Sequence, residues 1–167
     1  MQTLEDEAVT IAIKRVLVAV DLSDHSAATA AYAAGLARNF GASLTVVHVY
    51  EPVPVCEYAN ETTFTLLEEE RGKLKKLLEE LTLKVRTPGL VCEPAFLVGN
   101  PVQQIIRFAC DIQADLIVTA SHHRTFLGRL LNLDKAPQIM HRAPCPVLVY
   151  HEKRARAFQF ETGASLG

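Results

Sequence analysis

An open parallel sheet of five strands, covered by helices on both faces, is the fold class this sequence predicts. Three observations lead to it. Short apolar, β-branched runs alternate along the chain with helix-forming segments, which is the pattern of strand–helix–strand crossovers. The runs are apolar throughout rather than every second residue, as strands buried on both sides require. A length of 167 residues suits one domain and is short for two.

The first strand is Arg15-Val-Leu-Val-Ala-Val20, ending at Asp21. Leu22-Ser-Asp-His-Ser26 follows, and an Ala-rich helix then runs to Phe40. Ser23 or Asp24 is expected to cap that helix, and Gly41 suits the left-handed residue that ends one. Seven alanines between Asp24 and Phe40 imply a helix lying close against the sheet. Ser43 to Tyr50 reads as the second strand, and a loop with Pro52 and Pro54 follows. A charged helix is then expected from about Thr63 to Arg86, with Leu67, Leu74, Leu78, Leu81 and Val85 at helical spacing. Glu69 with Lys73 and Glu80 with Lys84 stand four apart, worth roughly 0.3 kcal/mol each on a solvated face. Val91 to Val98 reads as the third strand. Gly99-Asn100-Pro101 opens another helix, with Asn as cap, Pro in the first position, and Val102, Ile105, Ile106 and Ala109 as its buried stripe. Asp115 to Ala120 is the fourth strand. An irregular stretch from Ser121 to Leu133 leads to a short helix, and Pro146 to His151 is the fifth strand. Residues 1–13 form an N-terminal extension, 14–151 the domain, and 152–167 a tail without periodicity.

Composition narrows the function. Hydrophobic residues at 49% and charged residues at 22% describe a folded chain, able to bury roughly 70% of its unfolded surface. A net charge of -2 argues against a nucleic-acid partner, which calls for clustered Lys and Arg. No apolar stretch approaches the ~20 residues of a membrane span, and Met1 to Glu7 lacks the layout of a secretory signal, so the reading is cytoplasmic. Cys56, Cys92, Cys110 and Cys145 are scattered and are read as reduced, buried thiols. No metal is expected, since no two ligand types show finger-like spacing.

In open sheets of this kind a ligand lies beyond the carboxyl ends of the strands. Here those ends are Asp21, Val49, Gly99 and Ala120-Ser-His-His-Arg124. Neither GxxxxGK[ST] nor GxGxxG occurs. Four segments do form a specific set: Arg15-Val-Leu-Val-Ala-Val-Asp21, Leu44-Thr-Val-Val-His-Val49, Asp115-Leu-Ile-Val-Thr-Ala-Ser-His-His-Arg124 and Ala143-Pro-Cys-Pro-Val-Leu-Val149. Together they resemble the universal stress protein family, from about Lys14 to His151. The resemblance implies a Rossmann-like, adenine nucleotide alpha hydrolase-like fold. Some members of that family bind ATP or AMP through a pattern after the fourth strand: Gly, two residues, Gly, nine residues, then Gly followed by Ser or Thr.

Laid on this sequence, the pattern falls on Ala120, His123, Leu133 and Asp134, and all four depart from it. Glycines there let backbone N–H groups approach phosphates and permit positive φ. Leu133 and His123 add bulk. Asp134 stands where the closing helix begins, so its carboxylate can occupy the N–H groups that attract anions and repel a triphosphate; Pro137 removes one more N–H. Ala19, Asp21 and Val49 retain the adenine side of the implied pocket, with Ser121, His122 and Arg124 flanking its phosphate side. No cofactor is expected; ATP or AMP binding, with slow hydrolysis as a further option, is the alternative.

Catalytic readings are weaker. Ser121 beside His122 offers a nucleophile and a base, but adjacent residues rarely align productively, and no GxSxG surrounds them. Asp21 with Asp24 resembles the acidic cluster of a phosphoacceptor receiver domain, which also needs Asp ending strand three and Lys ending strand five. Val98-Gly99 and Tyr150-His151 stand there instead, so Asp21 is read as a loop-start hydrogen-bond acceptor. The last strand is short and apolar and is expected at a sheet edge. In the resembled family it commonly pairs with its own copy, which implies a homodimer through Val147 and Val149. The expected role is a non-catalytic stress-response module acting on protein partners that the sequence does not identify.

Overall fold

The structure, a computed structural model, describes residues 11–52, 60–120 and 141–151. Eight elements are seen among them: β1 (Arg15–Ala19), α1 (Ser26–Phe40), β2 (Ser43–Tyr50), α2 (Glu61–Val85), β3 (Cys92–Val98), α3 (Pro101–Asp111), β4 (Leu116–Ala120) and β5 (Val147–Tyr150). The five strands form one sheet in the order β3-β2-β1-β4-β5, and every pairing is parallel. This is the predicted α/β class. The chain lays down three strands in one direction from β1, then crosses back to lay β4 and β5 on its other side. The switch therefore falls between β1 and β4.

Alternation along each strand builds two apolar layers. Val16, Val18, Leu44, Val46, Leu116 and Val118 face α1 and α2, where they meet Ala30, Ala33, Ala37, Leu78, Leu81 and Val85. Leu17, Ala19, Val47, Val49 and Ile117 face α3 and meet Ile105 and Ala109. Alanine on the buried side of α1 explains how that helix approaches the strands. A methyl group adds little thickness, so backbone packs near backbone. Of the expected stripe on α2, Leu78, Leu81 and Val85 are buried while Leu67 and Leu74 are half-buried. On α3, Val102, Ile105 and Ala109 are buried but Ile106 lies only half so, because it flanks the stripe rather than centring it.

Helix ends follow the sequence at the close of α1 and the start of α3, while α2 begins before the expected Thr63 and the start of α1 departs from the reading. Asn60 Oδ1 accepts the Thr63 N–H at 3.0 Å, and Asn100 Oδ1 accepts that of Gln103 at 3.2 Å, with Pro101 opening α3. Gly41 ends α1 at φ 64°, a conformation that glycine adopts without penalty. At the start of α1, however, neither Ser23 nor Asp24 caps the helix. His25 occupies the cap position in a helical conformation with no side-chain cap bond. The acceptor is Asp21, further back, whose Oδ1 takes the hydroxyl of Ser26 at the first position of α1.

The thiols also differ from expectation. Cys92 is buried, but Cys110 is exposed and Cys145 half-buried. Cys110 lies in the last turn of α3 and Cys145 just before β5, so both stand at the border of an element rather than at its centre. Among the described residues, no helix is long and apolar enough to cross a membrane.

Candidate functional site

The carboxyl ends of β1 and β4 lie side by side at the switch point, with Ala19 in register with Thr119. Ala19 also stands opposite Val47 on β2, and the Val20 N–H donates to the Val47 carbonyl at 2.9 Å. Two residues beyond that register come Asp21 on one chain segment and Val49 on the other. Ala19 and Val49 are both buried in the layer facing α3. Ala120 ends β4, half-buried and in register with Tyr150. The structure thus brings Ala19, Asp21, Val49 and Ala120 to one end of the sheet. Ser121, His122, His123, Arg124, Leu133 and Asp134 lie outside the described residues, as do Pro137, Cys56 and the tail 152–167.

Asp21 is the best-defined group here. Its Oδ1 accepts from the Ser23 backbone N–H at 3.0 Å, the Ser23 hydroxyl at 2.6 Å and the Ser26 hydroxyl at 2.8 Å. It acts as the loop-start acceptor the sequence suggested, folding the β1–α1 connection around one oxygen. A carboxylate gripping the backbone two residues on is a common turn device. It supplies the anchoring that the helix start lacks, since Ser26 is the first residue of α1 and is buried. Leu22 between them stands at φ 60°. A branched side chain in the left-handed region is strained by roughly 1 kcal/mol, tolerated only where surroundings hold it. The Asp21–Ser23 contacts hold it on one side, and packing of Leu22 against the α1 and α2 layer holds it on the other.

His48, inside β2, is a residue the sequence reading passed over. It is buried, its Nδ1 lies 3.0 Å from the Val20 carbonyl, and its ring tilts against Phe96 at 5.7 Å. A carbonyl can only accept, so Nδ1 carries the hydrogen. Burial pushes the imidazole below its ordinary range, while the Val20 bond and the nearby Asp21 charge oppose that shift. At neutral pH His48 is therefore uncharged, a brace that fixes the Val20 carbonyl just before Asp21. One polar ring within the apolar run Val46-Val-His-Val49 was the available signal.

Strand three ends at Val98 and strand five at Tyr150, so a receiver domain's Asp and Lys positions carry neither residue. Tyr150 instead stacks on Tyr32 of α1, centroids 4.6 Å apart. β5 is an edge strand of the sheet, with Val149 exposed and Val147 half-buried.

Residues 12–151 match the universal stress protein family. A universal stress protein of Thermus aquaticus is 35% identical over 137 residues, which span 81% of this chain and 97% of that relative. Another, from Methanocaldococcus jannaschii, is 32% identical over 144 residues, or 81% of each chain. Among solved structures, a universal stress protein in complex with cAMP aligns with a TM-score of 0.63 at 26% identity, covering 85% of this chain and 99% of that one. A Lactobacillus plantarum universal stress protein reaches a TM-score of 0.68 at 24% identity, covering 84% and 99%. With the parallel sheet, its switch point and these relatives in agreement, this chain belongs to the universal stress protein family.

Proposed function

We propose that this protein is a non-catalytic regulatory module of the stress response, cytoplasmic and homodimeric, whose nucleotide pocket no longer accepts phosphate. The observation that carries the reading is the quartet Ala120, His123, Leu133 and Asp134 at the places where nucleotide-binding relatives use Gly, Gly, Gly and Ser or Thr. A phosphate site of this type needs bare backbone N–H groups, and side chains deny them. Asp134 adds a fixed negative charge where an incoming anion would sit. Two features of the described residues support the reading. Ala120 carries its methyl group at the switch point itself, and three internal donors already engage Asp21 Oδ1.

The dimer rests on β5. It is an edge strand with apolar side chains on both faces and an exposed Val149, which makes it a template for pairing with a second copy. Residues 14–151 form the working domain.

A second reading, an adenine-nucleotide sensor with slow hydrolysis, is favoured by one observation. The 26% identical neighbour was solved with cAMP, and Ala19, Asp21 and Val49 remain at the pocket end here. Calorimetric titration with ATP and magnesium, AMP and cAMP separates the two. The proposal expects no heat of binding up to about 1 mM ligand, and a micromolar Kd for any of them overturns it. The combined variant Ala120→Gly, His123→Gly, Leu133→Gly and Asp134→Ser is expected to gain the affinity that the parent lacks.

A further inference from the structure

At the opposite end of the sheet from the switch point, two cysteines are brought to the same place from distant parts of the sequence. Cys145 sits two residues before β5, half-buried against the layer that also takes Phe108, Ala109 and Ile112 from the end of α3. Ile117 pairs with Val147, and its N–H donates to the Pro146 carbonyl at 3.0 Å. Residue 145 is therefore level with Asp115, one strand spacing of about 4.8 Å to the side. From Asp115 the chain returns to Cys110 through a tight turn. That turn is closed by the Ala114 N–H on the Ala109 carbonyl at 2.8 Å and the Gln113 N–H on the Cys110 carbonyl at 3.0 Å. The last turn of α3 and the segment that leads into β5 thus share one apolar layer, with Ala109 in it and Phe108, Ile112 and Cys145 packed against it. Cys110 is exposed there, open to a reagent from solvent. The surroundings agree with this proximity: burial pushes the Cys145 thiol up, and the charges of Asp115 and of Cys110 push it further.

We propose that Cys110 and Cys145 form a redox-responsive thiol pair, a modification site whose co-reactant is a hydroperoxide. The exposed Cys110 gives up its proton to solvent and, as thiolate, attacks the peroxide oxygen; the O–O bond breaks, leaving sulfenic acid and hydroxide, which takes that proton back as water. Cys145 Sγ then attacks the Cys110 sulfur and expels hydroxide, which takes up the Cys145 proton as water. Two thiols and one hydrogen peroxide give one disulfide and two waters. The sulfurs are oxidised and the peroxide reduced. Cys92, buried beneath α2 with its sulfur 4.0 Å from the Thr82 carbonyl, takes no part. The bond would tie α3 to the lead-in of β5, so its formation is expected to stiffen the edge strand. This site is independent of the nucleotide pocket and does not rest on the function proposed above.

The test treats the reduced full-length protein with equimolar hydrogen peroxide and maps tryptic peptides without reduction. The expected product links peptides 108–124 and 143–153, about 2 Da below the sum of their reduced masses, and is lost on treatment with dithiothreitol. Cys110→Ser, at an exposed position, and Cys145→Ser each abolish it. In Cys145→Ser the sulfenic acid on Cys110 persists and is trapped by dimedone, whereas in the parent it is not. The inference is overturned if the parent shows Cys110 as a dimedone adduct, a sulfonic acid, an intermolecular Cys110 disulfide or a link to Cys56. It is also overturned if both thiols stay reduced.

Discussion

Two aspartates, one at each end of the sheet, do different work with the same chemistry. At the amino end, Asp115 Oδ2 accepts the backbone N–H groups of Lys14 and Arg15 at 2.8 and 2.9 Å, across about a hundred residues of sequence. At the carboxyl end, Asp21 Oδ1 takes three donors no more than five residues away. The first clamps β4 to the start of β1 and holds the register of the sheet centre. The second shapes a loop, and beside it Leu22 is held at a φ few residues adopt. Long-range contacts stabilise a topology, and short-range ones stabilise a conformation. Ligand sites in such folds are built at the end where conformation, rather than register, is the variable.

Removing each carboxylate tests that contrast. Asp115→Ala leaves two backbone N–H groups at the strand start without their charged acceptor. It is expected to lower stability by about 1.5 kcal/mol, water replacing part of the loss. Those same bonds hold the Asp115 carboxyl below its ordinary range. A depressed carboxylate contributes stability that is fully present above its ordinary pKa and is lost as pH falls through the folded value. The gap between parent and variant in urea midpoint should accordingly stay constant from pH 7 to pH 5 and close below about pH 4. A gap that does not narrow at all as the pH falls below about 4 would mean the residue acts through packing.

Asp21→Ala is expected to cost less, about 1 kcal/mol, because two of its three donors are hydroxyls that can turn elsewhere. Its signature is local. Amide exchange should quicken over residues 21–26 while the strand amides of β1 and β4 stay protected, whereas Asp115→Ala should quicken exchange at the start of β1. Equal effects on both segments would erase the distinction between loop and register.

The smallest effect isolates the strain at Leu22. Both Leu22→Ala and Leu22→Gly remove the packed side chain, but only glycine relieves the positive φ. The glycine variant should therefore be the more stable of the two by roughly 0.5 to 1 kcal/mol, against the usual order. Chemical denaturation of the pair gives the difference directly, and an alanine variant as stable as the glycine one would deny the strain.

Much of the fold was legible because its signals are local. β2 begins and ends where its composition changes, at Ser43 and Tyr50, and Asn100-Pro101 and Gly41 mark helix ends by their own side chains or backbone freedom. The start of α1 was misread because Ser23, Asp24 and Asp21 all carry oxygens suited to a cap. Which oxygen reaches which N–H depends on how the chain turns at Leu22. Residue type alone suggests that Cys110 and Cys145 are buried, and their exposure follows from where α3 ends and β5 begins. Within the candidate site, Asp21's role as an acceptor was legible; His48's role as a brace was not, because a histidine in an apolar strand says nothing of the carbonyl it meets.

The sequence by itself determined the class of sheet, the alternation of its layers and the chemical identity of the quartet after the fourth strand. Those depend on periodicity and residue type, which neighbours in sequence express. Only the tertiary structure decided the strand order with its switch between β1 and β4, the clamp from Asp115, and the meeting of the last turn of α3 with Cys145. Each joins residues tens of positions apart, and contacts at that range depend on the packing of the whole sheet, which no local stretch of sequence encodes.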